Sequence, residues 1–122
     1  MDNNLQININ QHHVFIDYIY PMKWNNLLKE YQFYLKIEKG LAQNSIDGYA
    51  RDISKLISHL ENNSINISPV SIDTEQIQQF IYENSKKINA RSQARLISGL
   101  RNFFNYLIFE GYRNENPTDL IE

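Results

Sequence analysis

The chain of 122 residues contains no cysteine, three prolines and four glycines. Without cysteine it has no disulfide, no thiolate nucleophile and no cysteine-based zinc site. Little proline and glycine, together with 42% hydrophobic residues, is typical of a globular chain. No apolar run is long enough to span a membrane, and the first ten residues lack the charged start and apolar stretch of a signal peptide. We therefore expect a soluble, cytoplasmic protein of one domain size, with its own core and no membrane partner.

Positive charge is concentrated in one segment of a chain whose formal net charge is -2. No acidic residue occurs from Asn84 to Phe109, and the basic residues there are Lys86, Lys87, Arg91, Arg95 and Arg101. On a helical period, one edge of this segment carries Arg91, Arg95, Ser98 and Asn102, with Arg101 beside them. A helix with one buried side and unpaired guanidinium groups on the other suits a DNA groove and its phosphates. A solvated basic face without a ligand is the equally weighted alternative.

Hydrophobic periodicity predicts four amphipathic helices with short loops, which is typical of an all-α bundle. The first helix is predicted from about Met22 to Lys39, with Gly40 as its C′ glycine. The second is predicted to begin near Gln43 and to stop at residues 61–64. Before them, residues 1–21 show strand-like alternation and are predicted to form a short β-hairpin or an extended arm.

Capping residues mark the two remaining helices. Asp73 and Gln76 form a predicted capping box at the start of a short third helix. Asn89 is the predicted N-cap of the fourth helix, which should reach about Phe109 and end at Gly111. The predicted division is an N-terminal extension over 1–21 and a helical domain over 22–122.

Two blocks of this sequence are similar to motifs of one protein family. Glu38 to Ile53 reads EKGLAQNSIDGYARDI, which resembles the E-R-G-L-S-x-x-T-x-x-x-Y-x-x-D-L signature of the tyrosine recombinases, the Xer and phage-integrase family. Ala90 to Leu107 reads ARSQARLISGLRNFFNYL and resembles the family's A-R-S-x-A-R-x-L-S-A-L-R-x-F-Y-x-F-L helix. Glu110-Gly111 and Asn116-Pro117 follow, like the family's E-G and N-P. The resemblance covers Met22 to Glu122 and fixes several polar identities as well as the hydrophobic period.

The resemblance implies a SAM-like orthogonal four-helix core-binding domain that clamps one face of duplex DNA, while a separate catalytic domain clamps the other. It further implies other recombinase protomers in a synaptic complex as partners, an isolated domain that is monomeric, and no cofactor. The catalytic arginines, lysine, His-x-x-Arg element and tyrosine nucleophile of the family have no match in this chain. We therefore expect the chain not to cut DNA by itself, and no catalytic residue is assigned.

The expected DNA contacts lie on the second and fourth helices. On the second helix they are Asn44, Ser45, Gly48, Tyr49, Arg51 and Lys55. On the fourth helix they are Arg91, Ser92, Arg95, Ser98 and Arg101. Most of these side chains would contact phosphate, and one or two arginines would read guanine. Core packing for Tyr49 and a weak surface ion pair between Arg51 and Asp52 are the open alternatives.

Some residues depart from the family pattern or have a structural interpretation. Leu96 stands where the family often has a basic residue, and Ala42 replaces the usual serine N-cap, so weaker DNA contact or a looser helix end is expected. His12 and His13 have too few neighbouring ligands for tetrahedral zinc, so no metal site is assigned. A helical module whose basic edge binds an acidic protein is the alternative function.

Overall fold

The computed structural model describes residues 23–121, and these form four helices joined by loops. We label them α1 (Trp24–Ile37), α2 (Gln43–Asn62), α3 (Thr74–Ser85) and α4 (Ala90–Phe109). In this part of the chain there is no strand, which confirms the predicted all-α class. The predicted N-terminal arm or hairpin and the His12-His13 pair lie outside the described residues.

The helix ends follow the predicted capping chemistry. The Asp73 carboxylate accepts from the backbone N–H of Gln76 at 3.0 Å, and the Gln76 side chain accepts from the Asp73 N–H at 3.2 Å, so the capping box is formed. Asn89 caps α4 by accepting from the N–H of Ser92 at 2.8 Å. Gly40 adopts a positive φ of 64° after α1, a backbone conformation that favours glycine. The two side-chain caps confirm the predicted starts of α3 and α4, whereas α1 ends at Ile37, two residues before the predicted Lys39.

The core lies where α1 packs on α2 and α4 packs on α2 and α3. Each helix contributes residues at a spacing of three or four, and the fully buried side chains include Leu27, Tyr31, Leu35, Ile53, Leu56, Ile77, Leu100, Phe103, Phe104 and Leu107. Trp24 packs against both phenylalanines of α4, and its indole N–H donates to the Ile67 carbonyl at 2.8 Å. Trp24 and the Phe103-Phe104 pair therefore pack together in the core region. Within residues 23–121, no helix combines the length and apolarity needed to cross a membrane.

Candidate nucleic-acid interface

The polar edge of α2 is exposed over its first turns. Asn44, Ser45, Arg51 and Lys55 are exposed, whereas Gly48 and Tyr49 are partly buried. The N-cap residue Ala42 offers no side-chain hydrogen bond, so the first amide groups of α2 lack a protein side-chain acceptor. The start of α2 thus lacks a side-chain cap, and the looser helix end expected from Ala42 stays a prediction.

The polar edge of α4 begins at its first turn. Arg91, Ser92, Arg95 and Ser98 are exposed, and Arg101 is partly buried. Within residues 23–121, the Arg91 side chain makes no hydrogen bond or ion pair. Its guanidinium is therefore free to meet a ligand.

The two edges meet at Gly48. A Cβ atom placed on Gly48 would lie 3.4 Å from Nη2 of Arg95 and 3.9 Å from Nη2 of Arg51. One guanidinium from each helix thus approaches the same bare stretch of α2 backbone. Both groups are permanently charged fork-shaped donors, so donors from both helices lie close to this point.

Arg95 is held in place by Asp52, which is buried with 7% of its surface exposed. The Arg95 Nη1 donates to Oδ2 of Asp52 at 2.5 Å, and the Arg95 guanidinium carbon lies 5.5 Å from the centre of the Tyr49 ring. The sequence expectation of unpaired guanidinium groups is therefore wrong for Arg95. Asp52 pairs across to α4 and not with its neighbour Arg51, because its side chain points towards the interface between the helices.

Gly99 makes room for this ion pair. A Cβ atom on Gly99 would lie 2.0 Å from Oδ2 and 2.7 Å from Cγ of Asp52, far inside van der Waals contact. The absence of a side chain on α4 at this point lets the Asp52 carboxylate lie against the helix. Sequence reasoning assigned no role to Asp52 in the site and none to Gly99, although both stand within the two matched blocks.

Around Asp52, positively charged side chains outnumber the single carboxylate. Burial raises the pKa of Asp52, while the hydrogen bond and charge of Arg95 lower it, followed by the charges of Lys55 and Arg51. One carboxylate therefore lies among three cations. Of the cations that the structure describes, only Arg95 is bonded to it, so Arg51 and Lys55 keep their charge available at the surface.

Arg101 has a different role from the one expected. Its Nη2 donates to the backbone carbonyls of Thr118 and Ile121 at 3.3 and 3.1 Å. The buried Asn116 side chain donates to the Arg101 carbonyl at 3.0 Å and to Oδ1 of Asn105 at 2.8 Å. The guanidinium of Arg101 is thus committed to holding the C-terminal turn against α4. Arg101 is therefore not available to the surface that α2 and α4 share.

Leu96 and Tyr49 lie next to the polar edges but pack into or against the core. Leu96 is 2% exposed and belongs to the core, so a charged residue would be buried at this position. Tyr49 is partly buried and contacts the core while its ring lies beneath Arg95. Its hydroxyl makes no hydrogen bond within residues 23–121. Tyr49 therefore packs against the core, and its contact with DNA stays a prediction.

This arrangement of helices and motifs agrees with the comparison with known proteins. The family model for the phage integrase N-terminal SAM-like domain matches residues 28–111. This match covers α2, α3 and α4 completely and most of α1. The chain belongs to this family.

The chain is also similar to curated proteins named tyrosine recombinase XerD. It is 36% identical over 99 residues to the protein from Staphylococcus epidermidis and 31% identical over 99 residues to that from Listeria innocua. It is 34% identical over 101 residues to the protein from Pasteurella multocida. Each match covers at least 80% of this chain but 33% of the relative, so the chain spans about a third of their length. No solved structure matches the chain significantly.

Proposed function

We propose that this chain binds duplex DNA through the polar edges of α2 and α4, as the DNA-holding part of a site-specific tyrosine recombinase. The observation that carries the proposal is the convergence of Arg51 and Arg95 at Gly48. Fork-shaped cations at the junction of two neighbouring helices are suited to base edges in the major groove and to the phosphates beside it. Family membership and the similarity to recombinases support the same function.

The proposed contacts differ in how free each side chain is. Arg91 has no partner within residues 23–121 and can swing to a phosphate or a base edge. Arg95 is fixed by Asp52, and its Nη2 faces the surface at Gly48. The hydroxyls of Ser45, Ser92 and Ser98, together with Asn44, would donate to phosphate oxygens and set the register of the duplex.

The proposal assigns holding of DNA, and not its cleavage, to these residues. Burial raises the pKa of Tyr31 and Tyr106 above the ordinary tyrosine value, which is the reverse of what an attacking phenolate requires. The Tyr112 hydroxyl donates to the Glu30 carboxylate at 2.6 Å, and burial together with that hydrogen bond also raises its pKa. Strand cleavage and rejoining would be carried out by catalytic residues of the recombinase outside this chain, acting with other protomers.

The test is binding of a fluorescently labelled duplex, followed by anisotropy over a range of salt concentrations. We expect affinity to fall steeply as salt rises, and Arg91→Gln to reduce the slope of log K against log salt by about 0.9 if one phosphate contact is lost. Lys29→Gln is the matched control, because Lys29 is exposed on α1, on the side away from its buried residues. An affinity that does not change with salt concentration, or no binding to the duplex, would overturn the proposal. Either result would favour the alternative function, binding of an acidic protein.

A further inference from the structure

A groove between α2 and the end of α3 is not part of the interface described so far. It has a volume of about 720 Å³ and reaches from Arg51 to the loop that precedes α4. Its lining combines the apolar side chains of Ile65, Phe80 and Ile88 with polar side chains from α2, from the end of α3 and from the loop that follows. Arg51 and Lys55 line both this groove and the α2 edge, so the groove continues the proposed DNA surface.

The α2 wall of the groove carries a polar stripe. Arg51, Ser54, Lys55 and Ser58 follow one another at the i, i+3, i+4 and i+7 spacing of one helix face, and all four are exposed. This wall therefore offers two cations and two hydroxyl donors and no carboxylate. Such a set of groups is suited to phosphate oxygens, which accept hydrogen bonds and carry negative charge.

The opposite wall adds Lys87, which is exposed and forms no side-chain bond within residues 23–121. In the described part of the chain, Glu83 is the one acidic residue that lines the groove. Its carboxylate already accepts from Lys86 at 3.4 Å and from Gln79 at 3.3 Å. Among the described residues, the three cations of the groove are therefore left without a bonded counter-charge: Arg51, Lys55 and Lys87.

His59 lies in the groove between these walls. Its Nε2 is buried and has no hydrogen-bond partner within residues 23–121, while its ring packs on Phe80 with centroids 5.2 Å apart. Burial lowers the pKa of His59, with Glu83 acting in the opposite direction and Lys87 in the same one. The pKa of His59 thus depends on the charges of Glu83 and Lys87 on the opposite side of the groove. The ring can therefore serve as a probe for an anion that enters the groove.

We propose that this groove holds the phosphodiester backbone of the bound duplex, beyond the α2 and α4 edges. The inference rests on the proposed function. Lys55 and Lys87 would contact backbone phosphates from opposite walls, and the hydroxyls of Ser54 and Ser58 would donate to the same oxygens. Because these contacts are to phosphate, they contribute affinity and register but no sequence preference.

The first experiment measures the salt dependence of duplex binding by Lys55→Gln and Lys87→Gln, separately and together. Each change should reduce the slope of log K against log salt by about 0.9, and both by about 1.8, whereas Lys29→Gln should leave it unchanged. Glu83→Gln should change affinity in the opposite direction and tighten binding. Circular dichroism and the unfolding midpoint check that each variant is folded, which the exposure of both lysines favours.

The outcomes separate this inference from the proposed function. If Arg91→Gln weakens binding while Lys55→Gln and Lys87→Gln behave like the Lys29 control, the groove is not on the DNA path and the interface of α2 and α4 stands. If the wild-type chain binds no duplex, both fail.

The second experiment follows the ring resonances of His59 by NMR, assigned with His59→Gln. They should move when duplex is added and should move less in Lys87→Gln. If inorganic phosphate alone, at the same phosphate concentration, moves them as far as the duplex does, the groove binds free anions and the backbone assignment is wrong.

Discussion

Gly99→Ala is expected to destabilise the fold, although alanine is the better residue inside a helix. The replacement should gain about 1 kcal/mol in helix propensity. The new methyl group, however, would lie 2.0 Å from Oδ2 of Asp52 and 3.1 Å from Nη1 of Arg95. The carboxylate must then move by more than 1 Å, roughly the shortfall from van der Waals contact, and its bond to Arg95 is stretched or lost.

The size of the effect follows from the burial of the two partners. Overpacking a well-filled site costs about 1–3 kcal/mol, and an unsatisfied buried polar group costs about 1–3 kcal/mol. The Arg95 side chain is 48% exposed and the Asp52 side chain 10%, so water relieves part of the second cost. After subtraction of the propensity gain, we expect a net loss of about 2 kcal/mol, which lowers the unfolding midpoint by roughly 8 °C.

The assay is urea and thermal unfolding followed by circular dichroism, with two controls. Gly48→Ala also replaces a glycine within a helix, but its new methyl would meet Nη2 of Arg95 at an ordinary 3.4 Å; it should stabilise the chain by up to about 1 kcal/mol. In an Asp52→Ala background the carboxylate that clashes with the new methyl group is absent, and Gly99→Ala should become stabilising too. If Gly99→Ala stabilises the wild-type chain, or if the double-mutant cycle shows no coupling between positions 52 and 99, the reasoning is refuted.

Two further changes test the helix end and the ion pair. Ala42→Ser should stabilise the chain by about 0.5–1 kcal/mol, because Ala42 has the extended N-cap backbone but offers no acceptor; an unchanged urea midpoint would contradict this. Arg95→Met should raise the pKa of Asp52 further, since Arg95 provides the largest lowering contributions, and a carboxyl-carbon NMR titration measures it. The folded pKa of Asp52 lies above its unfolded value, so the free energy of unfolding falls as pH rises from the unfolded pKa to the folded pKa. In the Arg95→Met variant this pH interval should extend to higher pH. A lower Asp52 pKa in the variant would contradict the assignment.

The helices could be predicted from the sequence because their signals are local. Each capping residue acts within three positions along the chain, as Asp73 does with Gln76, and the apolar period reports burial directly. The predicted first helix, from about Met22 to Lys39, differs from α1 by two residues at each end. At the C-terminal end, Glu38 is already the C-cap residue and the positive φ falls at Gly40, so the glycine signal lies beyond the last helical residue.

The pairing of charges could not be predicted in the same way. Asp52 and Arg95 are 43 residues apart, and the nearest cation in the sequence, Arg51, is not the one that Asp52 binds. The bonds of Arg101 go to backbone carbonyls, which every residue carries and which therefore leave no sequence signal. Leu96 illustrates the same limit, because its burial depends on the crossing of helices and not on its neighbours in the chain.

The ion pair between Asp52 and Arg95 has a consequence for conformational entropy. A free arginine side chain carries about 2 kcal/mol of rotamer entropy, and a ligand that immobilises it must oppose that freedom. Here Nη1 is held by the buried carboxylate and the guanidinium rests over Tyr49, so much of the ordering of Arg95 already accompanies folding. An anion that meets Nη2 at Gly48 would encounter a donor with few rotamers left to lose, whereas Arg91 would be ordered only on contact. The two arginines can therefore bind similar groups with different entropies of association.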